Sequence, residues 1–331
     1  MILLRQKSFS KGKKKGEEDR LTAEHVAGAA VTGAALGHVG NKLSRKGVDK
    51  SWKILDGAGR ISEEENKRLT NALLEDAKKR GTKIVKSETG ENSAYVEGGN
   101  IGRLIRKAWN TIKKKDPKAV KEVKDSLKKI GNQDLGNGMT LDYLKHIGTD
   151  TVVLGGNGKL SDADVLAHEL GHSLYDHKGR SKDIIGKAAH ATMFPSKILT
   201  DKVLNTKAGT VGMAAIGFRS GMKSAERKAK GENDTIWNKT KSVAIPLAIT
   251  APTLIGEAAA SRQGIKMLKK HGASKDALKI ARKSLAGAWG TYAAKDALKP
   301  IVVGEGSRLV GKGVGTVKYK KRKENKDNSE D

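Results

Sequence analysis

The sequence has no cysteine. Disulfides and thiolate ligands are therefore excluded, so any bound metal must be held by histidine and carboxylate side chains. The redox compartment stays open. Aromatic residues make up only 4% of the chain, so its cores must be built from Ala, Leu, Ile and Val with close contacts at glycine. Acidic residues are in deficit, 37 against 65 Lys and Arg, leaving a formal net charge of +28. Such a charge suits nucleic acid, an anionic membrane surface or an acidic protein. The lysines are spread along helices and gathered in the tails, with no aromatic-interleaved patch or nucleic-acid module. Nucleic acid is therefore not expected as the main partner.

Long apolar runs are also scarce. Met1 to Leu4 is too short for the core of a secretory signal. Val26 to Asn41 is free of charged residues and contains Gly33-x-x-x-Gly37, the spacing of closely packed helices, but it falls short of a membrane span. Ala208 to Phe218 and Val243 to Gly256 are apolar stretches bounded by cations. Each reads either as a buried Ala/Gly helix or as part of a membrane hairpin. Val243 to Ala260 approaches spanning length if Glu257 is tolerated.

What the sequence does contain is Val165 to His177, VLAHELGHSLYDH. His168 and His172 stand four residues apart, which on an α-helix places them about 40° apart and one turn along, so both imidazoles reach one metal ion. Glu169 follows the first histidine, on the side where a water bound to that metal would sit. Neutral imidazole is a good zinc ligand, and zinc lowers the pKa of its water to about 7. The context agrees with a helix: Thr151 to Leu154 reads as a strand, Gly155 to Gly158 as a turn, and Ser161 to Asp164 as a helix start. Gly171 inside that helix costs about 1 kcal/mol relative to Ala, which points to close packing beside the site.

The rest of the chain reads as mainly α with a small β-sheet. Residues 1–20 form a basic arm expected to be disordered, 21–60 a Gly/Ala-rich helical segment, 61–316 one domain with an apolar helical insert at about 208–256, and 317–331 a charged tail expected to be disordered. Ser62 to Glu65 is a capping box that starts a helix running to about Arg80 and stopped by Gly81. Thr82 to Lys86 and Ala94 to Glu97 read as a small hairpin about Gly90, able to offer an edge strand to an extended peptide. Asn100 to Lys115 and Asp116 to Gly131 read as helices, Gly131 to Gly138 as a loop, and Leu141 to His146 as a short helix.

A catalytic zinc site keeps three protein ligands and one open position. A metzincin would carry its third histidine ten residues after His168, where this chain has Lys178; Asp176 and His177 are expected to face solvent. Glu257 is the better third ligand, because a carboxylate inside an apolar, alanine-rich helix is costly to bury unless it is paired or bound to metal. Ser261, four residues on and on the same face, is placed to hydrogen-bond a ligand.

His168-Glu169-Leu170-Gly171-His172 together with Pro252 to Arg262 resembles the gluzincin metallopeptidases. More narrowly, Glu257 to Arg262, Met267-Leu268, Gly272 and Ala288 to Ala294 are similar to the YugP-like neutral zinc metallopeptidases, bacterial membrane proteins related in plan to the prenyl-protein and heat-shock membrane peptidases. The likeness covers about Leu160 to Ala294, and the apolar segments here are shorter than that family's. It implies one Zn²⁺ per chain held by His168, His172 and Glu257, with Glu169 as general base in hydrolysis of a protein or peptide substrate. Arg262, His271 and Tyr292 are candidates by residue type for an added transition-state donor. Membrane association is the expected location, with a cytoplasmic or virion-associated protein as the alternative, since the short basic start also looks like phage virion proteins. The competing function is a non-catalytic basic scaffold of a virion or membrane surface.

Overall fold

The computed structural model describes residues 23–86, 93–96, 148–155, 162–176 and 182–327, with isolated positions between 106 and 146. The expected basic arm, the helices and loop between residues 100 and 146, the turn after Gly155, Ser161 and His177 lie wholly or mostly outside these. Among the described residues the protein is mostly helical with one three-stranded sheet. In chain order the elements are α1 (Ala23–Asp56), α2 (Glu63–Arg80), β1 (Lys83–Lys86), β2 (Ala94–Val96), β3 (Thr151–Leu154), α3 (Asp162–Asp176), α4 (Ile184–Leu199), a π-helical turn (Thr200–Leu204), α5 (Lys207–Ala229), α6 (Ile236–Lys270), α7 (Lys275–Tyr292), a π-helical segment (Ala293–Leu298) and α8 (Lys299–Asp327). They form two compact units, one from Met1–Gly40, Lys207–Ala244 and Pro300–Asp331, the other from Asn41–Thr206 and Ile245–Lys299.

The second unit holds the sheet. β1 pairs with β3 in parallel and β2 pairs with β3 antiparallel, in the order β1-β3-β2. β1 and β2 are therefore not a hairpin, as their sequence spacing suggests. The apolar Thr151-Val152-Val153-Leu154 run, buried at its first three residues, takes the centre because a strand paired on both edges needs side chains that tolerate burial. β2 remains an edge strand.

α2 starts and stops where its caps dictate. The Glu65 N–H donates to Ser62 Oγ, and Gly81 ends the helix in the left-handed conformation at φ 75°. The Glu65 carboxylate does not close the box locally; it accepts from Ser274 N (2.7 Å) and Ser274 Oγ (2.9 Å), tying α2 to the N-terminus of α7. The first turn of α3 is served from α2, with the Ala163 N–H donating to Asn66 Oδ1 at 3.0 Å. Between them Leu69, Leu73, Leu166 and Leu170 are fully buried, each contributing about 2 kcal/mol. Met267 and Leu268 of α6 and Ala277 and Ala281 of α7 complete this core.

In the first unit the Gly-rich part of α1 finds the close partner its spacing calls for. A Cβ at Gly33 would stand 3.1 Å from the Ala214 methyl, and one at Gly37 would stand 3.0 Å from Thr210 Cγ2, both on α5. α5 lies equally close to α8, where Gly217 and Gly221 face the carbonyls of Gly304 and Arg308. Ala208 to Phe218 thus belongs to a helix packed through glycine. α6 is the one described helix long and apolar enough, by length and composition, to cross a membrane. The tail from residue 317, expected to be disordered, is helical to Asp327: it continues α8 without a breaker, and Lys320 and Glu324 are paired one turn apart at 3.9 Å.

Candidate metal centre

The site is made by the crossing of α3 and α6. A Cβ at Gly171 would collide with the Ala260 carbonyl, and one at Gly264 would come within 2.9 Å of the Ala167 carbonyl group. The two backbones touch because neither position carries a side chain, and this brings His168 and His172 of α3 against Glu257 and Ser261 of α6. α6 is held there through its carbonyls. Trp289 Nε1 of α7 donates to Leu254 O at 2.8 Å, the Tyr175 hydroxyl of α3 donates to Ala259 O at 3.3 Å, and Ser196 of α4 donates to Ile249 O.

Glu257 Oε2 lies 3.2 Å from His168 Nε2 and 3.5 Å from His172 Nε2. The three candidate ligand atoms all fall within 4.8 Å of one another. Nitrogen and oxygen ligands at zinc bond lengths stand about 3.4 Å apart at the corners of a tetrahedron, so both measured edges fit a common ion. His172 and Glu257 are buried, at 4% and 8% exposure, and a buried His-His-carboxylate set with no thiolate suits zinc. Ser261 Oγ stands 3.1 Å from His168 Nδ1, leaving Nε2 to face the cluster. Among the described residues no fourth ligand joins the group.

The carboxylate and the imidazoles answer one another. Burial works against the charge on Glu257, yet His172 and His168 outweigh it and hold the carboxyl well below the usual range. Burial likewise opposes charge on His168, and the Glu257 and Glu169 carboxylates still move it upward. Glu169, 8% exposed, is raised by burial against the pull of both histidines, and the Tyr95 main-chain N–H donates to it. That bond ties Glu169 to β2, an edge strand. The Tyr95 hydroxyl is shared between Asp150 Oδ1 (2.8 Å) and Asp176 Oδ2 (2.7 Å).

Asp176 therefore does not face solvent freely as the sequence suggests; it anchors β2 to the end of α3. Of the candidate donors, Ser261 meets a ligand. His271 does not reach the site: it lies fourteen residues beyond Glu257, about 20 Å along the helix, and is bound to Asp76 at 2.9 Å. Arg262 is exposed, its charge acting on Tyr175 and Asp183. The Tyr292 ring lies under Lys197 Nζ, 5.7 Å from the ring centre.

Two residues near the centre escape sequence reasoning. Tyr95 sits on a three-residue strand too short to signal a role. His190, in α4, packs its ring 5.7 Å from that of His172 and 6.3 Å from that of Tyr95. Burial, reinforced by His172, lowers its pKa to about 4, so it is neutral at physiological pH. A lone histidine inside the apolar helix Ile184–Leu199 was the available signal. The chain matches no protein-family model, no curated protein and no solved structure.

Proposed function

We propose that the protein is a zinc-dependent endopeptidase. The observation that carries this reading is the convergence of His168 and His172 with Glu257, a carboxylate eighty-five residues further along the chain, at ligand spacing. The likeness of both motif segments to gluzincin metallopeptidases supports the same conclusion. Zinc held there would polarise a scissile carbonyl and activate a water at neutral pH. Three protein ligands leave a position open, the pattern of catalytic rather than structural zinc.

The chain's own residues supply the rest. Glu169 takes the proton of the attacking water and delivers it to the leaving amine, a task suited to a carboxyl whose pKa burial has raised. Ser261 fixes the His168 ring. A peptide laid along the edge strand β2 would lie beside Glu169, since the Tyr95 main chain already touches that carboxylate.

Glu169→Gln keeps all three ligands, so it should retain zinc and lose about 10²- to 10⁴-fold in turnover of a peptide pool. Undiminished cleavage by that variant overturns the mechanism. A wild-type chain that holds zinc and cleaves nothing would instead be a basic scaffold with a structural metal.

We place the protein at a membrane surface, on the strength of the apolar α6 and the net charge of +28, each nearby cation adding about 1 kcal/mol on anionic lipid. It should sediment with anionic vesicles; a protein that stays in solution with such vesicles at low salt contradicts this placement.

A further inference from the structure

The proposed ligand set contains one unanswered hydrogen bond. His168 Nδ1 has Ser261, whereas His172 Nδ1 is buried with no partner among the described residues. A metal-ligating histidine almost always donates its second ring N–H to an acceptor, and removing that acceptor commonly weakens the metal 10- to 100-fold. A complementary deficit lies next to it. His190 is 8% exposed, and neither of its ring nitrogens has a partner among the described residues.

The packing explains why the two rings meet. A Cβ at Gly186 would stand 2.6 Å from Tyr175 Cζ, so the missing side chain lets α4 lie directly against α3. His190 is one turn beyond Gly186 on the same face, as His172 is one turn before Tyr175, and the ring centroids come to 5.7 Å at an interplanar angle of 36°. The neighbouring tyrosines are committed elsewhere: the Tyr95 hydroxyl is shared between Asp150 and Asp176, and the Tyr175 hydroxyl lies between Asp183 and the Ala259 carbonyl and accepts from Gln263. A neutral imidazole brings one donor and one acceptor. A single bond between these rings, direct or through one water, relieves a buried donor and a buried acceptor together.

We propose that His190 is a positioning residue for the metal centre, accepting the Nδ1–H of His172 when Nε2 of that ring faces the ion. The inference rests on the reading that His168, His172 and Glu257 hold zinc. It assigns His190 no contact with substrate; its effect is on the grip and geometry of the metal.

The test is competitive titration of Zn²⁺ against a chelator for the full-length wild type, His190→Phe, His190→Gln and His190→Ala, with the visible spectrum of the Co²⁺-loaded forms. Phe keeps a flat ring and removes both nitrogens; Gln keeps a hydrogen-bonding end. We expect His190→Phe to bind Zn²⁺ 10- to 100-fold more weakly with a shifted Co²⁺ spectrum, and His190→Gln to recover part of the affinity. Wild-type affinity and an unaltered Co²⁺ spectrum in His190→Phe overturn the proposal. If His190→Phe does not fold, a folded His190→Gln with the wild-type spectrum and with affinity no better than His190→Ala overturns it as well. A wild type that binds no zinc removes the underlying reading, a result distinct from tight wild-type binding that is indifferent to residue 190.

Discussion

The crossing of α3 with α6 and the crossing of α5 with α8 use one device to different ends. In each, glycine lets a helix backbone rest on the carbonyls of its neighbour: Gly171 on Ala260 in the first, Gly217 on Gly304 and Gly311 on Phe218 in the second. Around the first crossing the side chains are His168, His172, Glu169, Glu257 and Ser261. The buried side chains that α5 brings to the first unit are Ala, Met, Phe and Ser. Close approach is thus a general solution to a scarcity of aromatic residues, and only where it coincides with ionisable groups does it build a site. Packing alone would tolerate the loss of charge at α3; chemistry would not.

Substitution at the two crossings separates these roles. Gly171→Ala and Gly217→Ala each force a methyl into a backbone carbonyl, and overpacking of this kind costs about 3 kcal/mol, against about 1 kcal/mol regained in helix propensity. Both should lower the midpoint of chemical denaturation, but only Gly171→Ala should also lose zinc. Equal zinc retention by the two would mean that the α3/α6 approach does not set the ligand geometry.

The units also differ in how they treat a carboxylate. Asp296, in the π-helical segment after α7, is 3% exposed and burial raises its pKa to about 6. Glu305 in α8 is lowered, first by its hydrogen bond to Arg308. The signs are opposite. Asp296 binds its proton more tightly folded than unfolded, so its contribution is complete below pH 4 and is lost as pH rises through about 6, a change of about 3 kcal/mol. Glu305 contributes above its unfolded value and loses that as pH falls. Asp296→Asn should therefore flatten the decline in stability between pH 4 and 6, measured by denaturant titration at several pH values. A pH dependence left unchanged by Asp296→Asn would show that Asp296 is not held protonated.

The smallest effect is expected at Ser261. Removing the hydroxyl by Ser261→Ala frees His168 Nδ1 and should weaken zinc about 10-fold, with helical content unchanged. No change in zinc affinity would mean that the His168 ring is held by packing alone.

Much of this was legible because the informative residues break local rules. Glu257 stood out as a charge in an apolar run, Gly171 as a poor helix former in a helix, and the caps at Ser62 and Gly81 as residues that locate helix ends to within a residue. The sheet was less legible. Local spacing makes Thr82–Lys86 and Ala94–Glu97 look like neighbours, yet β3 lies between them, and nothing in two short strands encodes a partner more than fifty residues away. His190 and Tyr95 act through contacts made only when α4 and β2 pack on α3. The helix at residues 317–327 was hidden because its charges resemble those of a disordered tail, while its continuity with α8 is a property of the folded chain.

The proposed metal centre requires one ion shared by α3 and α6. Metal analysis of purified, zinc-loaded and desalted protein tests it most directly, comparing wild type with Glu257→Ala. The prediction is about one zinc per chain in the wild type and loss of that zinc in the variant while the helical circular dichroism persists. Zinc absent from the wild type, or retained undiminished without the Glu257 carboxylate, would contradict it.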